Sequence, residues 1–202
     1  MDRNYPRIYS RHFVAYTSTM STRLAIALVG DPSSGKTTLA RHLEQKHGFY
    51  YFEGSDYLRL MARERNVELK TRDDYSNFHR QLQLEFGPTV IADYILARPE
   101  ARVTFAGMRS TQNAQKFQSE GGLVVALRAP VEVRFNRSTH NSLKQETTLD
   151  AFRQSEEAQH VSADHLGADL NPVMDMADIT LDTSKPIEQT YLELDKLVDS
   201  LI

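Results

Sequence analysis

Gly30-Asp31-Pro32-Ser33-Ser34-Gly35-Lys36-Thr37 satisfies the pattern G-x-x-x-x-G-K-[ST], and it directly follows the apolar run Leu24-Ala25-Ile26-Ala27-Leu28-Val29. The pattern works only in such a setting. A strand must deliver the chain to a tight turn and a helix must leave it, so that backbone N–H groups converge on a phosphate with the helix dipole behind them. Gly30, Asp31, Ser33, Ser34, Gly35, Lys36, Thr37 and Thr38 are therefore the expected nucleotide cradle. Lys36 would reach the β and γ phosphates, and the Thr37 hydroxyl would enter the shell of a Mg²⁺ ion.

Other chemistry-bearing residues fall after the later apolar runs. Gly54-Ser55-Asp56-Tyr57-Leu58-Arg59 follows the second, Gly107-Met108-Arg109 the third, and Arg134 and Arg137 lie on the helix after the fourth. A doubly wound sheet presents ligand-binding residues at these strand ends. Guanidinium groups there suit phosphoryl transfer, in which several oxygens change charge and both substrates must be held in line. No N-K-x-D sequence is present, which argues against a GTPase. The seven histidines form no H-x-x-x-H or H-E-x-x-H pair and are read as surface or packing residues. Asp56 also suits a cap for a helix starting at Tyr57.

The elements that must position these groups alternate along the chain, as in a parallel sheet covered by helices. Strands are expected at Leu24 to Val29, Phe49 to Phe52, Val103 to Ala106, Leu123 to Leu127 and Ile179 to Leu181. The first helix should bury Leu39, Ala40 and Leu43 and stop at Gly48. A capping box at Thr71 and Asp74 opens a helix with the stripe Tyr75, Phe78, Leu82 and Phe86. Gly87-Pro88 breaks it and starts another, carrying Val90, Ile91, Tyr94 and Ile95, which ends at Arg98-Pro99. Pro130 suits the first turn of a helix packing Val131 and Phe135, and another helix begins near Asp150. Pro186 opens the last helix, with Ile187, Tyr191, Leu194, Val198 and Leu201 on one stripe.

With 202 residues and 40% hydrophobic content, the chain is expected to bury one core, a single domain over about 24–202. A net charge of −3 with mixed signs argues against nucleic acid as a partner. The absence of cysteine excludes disulfides and thiolate metal sites and suits a cytoplasmic location. No apolar run approaches the roughly 20 residues that span a bilayer, so no membrane association is expected. Residues 1–23 carry Arg3, Arg7, Arg11 and Arg23 against one acid, Asp2, and are read as a flexible basic tail, with organelle import a lesser expectation. Met20 is an alternative start.

At these residues, over about 24–200, the chain resembles the nucleoside monophosphate kinases, small phosphate-loop enzymes. Gly54-Ser55-Asp56-Tyr57-Leu58-Arg59 is similar to the family's G-D-x-x-R segment, and Gly107-Met108-Arg109 to its D-G-x-x-R turn. The D-G-I-R version, the E-F-G-P helix end seen at Glu85-Phe86-Gly87-Pro88 and the R-F-x-R helix seen at Arg134-Phe135-Asn136-Arg137 are those of an adenylate-kinase-like ATPase branch, often labelled dephospho-coenzyme A kinase-like. The resemblance implies an α/β phosphate-loop NTPase fold in three α/β/α layers, with a five-stranded parallel sheet. It also implies an acceptor-binding helical insert over about 54–98 and a lid over about 138–149. Arg59 and Arg109, with Asp56, would bind the acceptor phosphate. Arg137 and Arg153 resemble the pair that flanks the lid and embraces the transferred group. Ala177 to Ser184 is similar to the last strand and the loop beside the base.

ATP and Mg²⁺ are the implied cofactors, with a small phosphorylated acceptor as partner and a monomer or homodimer as the assembly. Where the family has an Asp at the end of the third strand, this chain has Ala106, so Asp56 or Glu53 must supply the carboxylate near Mg²⁺ or none does. The lid offers only His140 and Lys144. Three readings follow: phosphoryl transfer to a nucleoside or deoxynucleoside monophosphate; transfer to dephospho-coenzyme A, with Asp56 as base; or a weakly catalytic ATP-binding switch.

Overall fold

An apolar strand with both faces to bury needs helices on both sides, and the segment from Ala25 to Val29, buried at every position, receives them. A computed structural model describes residues 23–139, 148–160 and 170–202. The proposed tail up to residue 22 and the lid positions 140–147, including His140 and Lys144, lie outside the described residues.

The strands are β1 (Leu24–Gly30), β2 (Tyr50–Glu53), β3 (Arg102–Ala106), β4 (Leu123–Arg128) and β5 (Ile179–Asp182). They pair in parallel in the order β2-β3-β1-β4-β5. Helix α1 (Lys36–His47) links β1 to β2; α2 (Gly54–Glu64), α3 (Arg72–Phe86) and α4 (Val90–Leu96) fill the detour to β3. After β3 come α5 (Thr111–Ser119), and after β4 α6 (Val131–Thr139), α7 (Leu149–His160) and α8 (Leu170–Asp175); α9 (Ile187–Leu201) follows β5.

Alternation along β1 divides the core. Ala25, Ala27 and Val29 join Tyr57, Met61, Phe78, Leu82, Ile95, Phe117 and Val173 on one face. Ile26 and Leu28 join Leu39, Leu43, Leu194 and Val198 on the other, under α1 and α9. Truncating one of these fully buried leucines to alanine costs about 2–5 kcal/mol, because the surroundings cannot close the cavity. Gly48, at φ 68°, ends α1 by donating its amide to the Glu44 and Leu43 carbonyls.

The expected stripes are present, with differences at the margins. Phe78 and Leu82 are buried, while Tyr75 and Phe86 pack half-buried beside them. β2 starts at Tyr50, and α2 starts at Gly54 with Glu53 as N-cap, three residues before the expected helix. On α6 the buried positions are Arg134 and Ser138, whereas Val131 and Phe135 are half-buried. Helix α8, unanticipated, buries Leu170, Val173 and Met174 on the sheet.

Two polar side chains tie distant elements together. Asn113 of α5 accepts from the Ala92 amide at 2.9 Å and donates to the Pro88 carbonyl at 3.1 Å, pinning the start of α4 to the sheet side of the insert. His42 and His47 of α1 both meet Asp195 of α9, which corrects their reading as histidines without a constellation. The partner lies about 150 residues downstream, beyond the reach of any local spacing rule.

Candidate active site

The turn after β1 has no room for side chains where it bends. A Cβ on Gly30 would stand 2.6 Å from both the Leu127 carbonyl oxygen and Ser34 Oγ. Gly35 takes φ 99° and Ser33 φ 61°, so the chain reverses through left-handed positions before α1 begins. The first-turn amides of α1 have no intrahelical partner, and no acidic residue occupies that turn to compete for them. The Lys36 ammonium bridges the loop, donating to the carbonyls of Gly30 at 2.7 Å and Asp31 at 2.8 Å. Ser34 is fully buried, and its Oγ has no hydrogen-bond partner among the described residues. A cradle that a Cβ would fill, converging amides and the Lys36 ammonium fit a polyphosphate.

Thr37, exposed at the start of α1, donates from its hydroxyl to Glu53 Oε1 at 3.2 Å. The Tyr51 hydroxyl donates to the same oxygen, and burial together with that bond pushes the Tyr51 phenol well above its usual range. Glu53 is paired in register with Ala106, so a carboxylate stands on the adjacent strand level with the position where β3 carries alanine. A hydroxyl and a carboxylate side by side form an oxygen donor set that suits Mg²⁺.

Asp56 is committed elsewhere. Its Oδ2 accepts from the Glu53 amide at 3.1 Å, and its Oδ1 pairs with Arg59 at 2.6 Å. That hydrogen bond raises the guanidinium pKa of Arg59 and holds the side chain, about half exposed, at the end of β2. Gly107, at φ 95°, donates its amide to the Leu28 carbonyl and turns the chain so that Met108 is buried and Arg109 exposed. β2 and β3 are neighbours, so Arg59 and Arg109 leave adjacent strand ends on the side of the sheet where the phosphate loop lies.

The helical arginines separate into distinct roles. Arg134, expected among the guanidinium groups that suit phosphoryl transfer, is buried: it pairs with Glu156 and donates to the carbonyls of Ala129 at 3.0 Å and Pro32 at 3.4 Å. It braces the phosphate loop from behind. Arg137, one turn on, donates to the Thr183 carbonyl at 2.5 Å, next to the β5 loop that the sequence likens to a base-side segment. Arg153 lies on the surface with Glu132 at 2.8 Å and Asp150 at 3.7 Å. Sequence reasoning missed Tyr51 and Glu156, whose partners become visible only in three dimensions.

A parallel 2-3-1-4-5 sheet with a phosphate loop between its central strand and α1 defines the phosphate-loop kinase class. Residues 29–151 match the AAA domain family, and the chain belongs to it. A cytidylate kinase of Pyrococcus furiosus is 28% identical over 166 residues, covering 80% of this chain and 81% of that one. A cytidylate kinase of Thermococcus sibiricus is 31% identical over 114 residues, a stretch that spans 56% of this chain and 55% of the relative. Among solved structures, the shikimate kinase of Acinetobacter baumannii superposes with a TM-score of 0.55 at 20% identity, over 89% of this chain and 94% of that one. That likeness describes the fold alone. No helix among the described residues is long and apolar enough to cross a membrane.

Proposed function

We propose that this protein transfers the γ-phosphoryl group of ATP to a nucleoside monophosphate. The observation that carries the reading is the placement of Arg59 and Arg109 just after the adjacent parallel strands β2 and β3, at the sheet edge that carries the phosphate loop and the Thr37–Glu53 donor pair. An anionic oxygen of the acceptor phosphate forms the new P–O bond, and the bond to the β–γ bridging oxygen breaks, leaving ADP. No general base is required. Lys36 and the loop amides bind the donor, Arg59 and Arg109 orient the acceptor, and Arg137 and Arg153 offer charge to the transferred group. Thr37 and Glu53 would hold Mg²⁺, which would supply charge neutralisation on the phosphates.

The names of the Pyrococcus and Thermococcus relatives make cytidine monophosphate the first acceptor to try. Dephospho-coenzyme A is the less favoured acceptor, because both Asp56 oxygens already have partners and its sugar hydroxyl would need a base. The test is Mg-ATP turnover against ribo- and deoxynucleoside monophosphates and dephospho-coenzyme A, with Lys36→Ala as blank. Acceptor-dependent ADP that disappears in the blank supports the proposal. Tight ATP binding without acceptor-dependent ADP would replace it with the nucleotide switch.

A further inference from the structure

Helix α1 carries Lys36 at one end and His47 at the other, about 16 Å apart along the axis. At the His47 end, remote from the phosphate loop, three side chains converge. His42 and His47 each bring Nε2 to 2.7 Å from the same oxygen, Oδ1 of Asp195 on α9. Lys46 takes the other oxygen, Oδ2, at 2.8 Å. The His42, His47 and Asp195 side chains are 15%, 9% and 10% exposed, sheltered yet open to solvent at one edge.

We propose that His42, His47 and Asp195 form a binding site for a divalent transition metal, with zinc the best match, that ties α1 to α9. Two imidazole nitrogens and one carboxylate oxygen, all within 4.8 Å of one another, are a borderline donor set that selects zinc, cobalt or nickel over magnesium or calcium. Hydrogen bonding alone would be served by either carboxylate oxygen, yet both rings choose Oδ1. Lys46 makes the carboxylate a one-oxygen ligand by engaging Oδ2.

The geometry needs little adjustment. Ligands about 2.0–2.1 Å from zinc stand about 3.3 Å apart in a tetrahedron, so each Nε2–Oδ1 separation opens by roughly half an ångström. The His42 ring is already oriented: it stacks on Tyr191 with centroids 4.0 Å apart and planes 5° from parallel. The His47 carbonyl is fixed by Arg102 Nη1 at 2.7 Å. On binding, each ring must give up the Nε2 proton that it donates to Oδ1: a neutral ring takes a proton up at Nδ1 instead, a protonated ring releases the Nε2 proton to solvent, and the Nε2 lone pair is then free for the metal. The fourth position is left to water.

The test uses the full chain stripped of metal by a chelator and saturated with Mg-ADP, so that cations at the phosphate loop do not report. Cobalt(II) titration should give a visible ligand-field band saturating at one equivalent, which zinc then displaces. In His42→Ala and Asp195→Asn the band should vanish and the affinity should fall beyond the roughly 10–100-fold that an outer-shell change costs. Zinc should raise the melting temperature of the wild type but of neither variant, with melting in chelator confirming that each variant folds. No cobalt band, or the same band and affinity in both variants, would overturn the proposal and leave a hydrogen-bonded clasp.

Discussion

Glu53 stands in register with Ala106 across the β2–β3 ladder, and its Oε1 accepts from the Thr37 hydroxyl at 3.2 Å, which puts a carboxylate beside the phosphate loop. Loss of that carboxylate should therefore act through the metal requirement. Glu53→Gln should lower kcat by about 10²-fold or more and raise the Mg²⁺ concentration for half-maximal rate. Adding Ala106→Asp to it should restore part of the rate, read from kcat against Mg²⁺ concentration. Unchanged Mg²⁺ dependence in Glu53→Gln would remove Glu53 from the site.

Gly30 has no space for a methyl group. Gly30→Ala must displace the Leu127 carbonyl or Ser34, at a cost of about 1–3 kcal/mol, and it distorts the cradle. ATP affinity, measured by calorimetry, should fall below detection while the folded state persists in a thermal melt.

Arg134 and Glu156 form a buried pair, in which removing one partner leaves the other charge stranded. Arg134→Ala should destabilise the protein by about 3–5 kcal/mol in urea titrations. Arg134→Met with Glu156→Leu should cost less than either single change. By contrast, Arg153→Ala should alter stability by less than about 1 kcal/mol, since its pairs are exposed.

His79 of α3 is depressed below the usual histidine pKa by burial, and its Nε2 has no hydrogen-bond partner among the described residues. The folded state thus favours the neutral ring. The associated stability is fully present above the unfolded value of about 6.5 and is lost as pH falls from there through the folded pKa. Relative to His79→Gln, the wild type should lose stability as pH falls below about 6.5, with a slope of at most about 1.4 kcal/mol per pH unit. A constant difference across that range would contradict the assignment.

Elements whose signal is local were readable from the residues themselves. The continuous apolar run of β1, the Gly48 stop and the capping box at Thr71 and Asp74 each encode their geometry within a few positions. The phosphate loop belongs to the same class. What escaped is made by distant partners: α8 has only three apolar residues and a proline to announce it, and Arg134 looks like a surface arginine until Glu156 folds over it. Glu53 reads as an ordinary residue after a short strand, and only strand order puts it next to Ala106 and Thr37. The His42, His47 and Asp195 convergence is likewise a product of α1 and α9 sharing one face of the sheet.

The brace behind the phosphate loop also carries a message about biosynthesis. The loop is chemically complete once residue 38 has been made, yet Leu24 pairs with Arg102, Ile26 pairs with Leu123, and Pro32 is held by a residue 102 positions later. Contacts of such long range form late and slowly. A growing chain therefore displays the full phosphate-loop motif long before the strands and the brace that hold the loop in shape have been made.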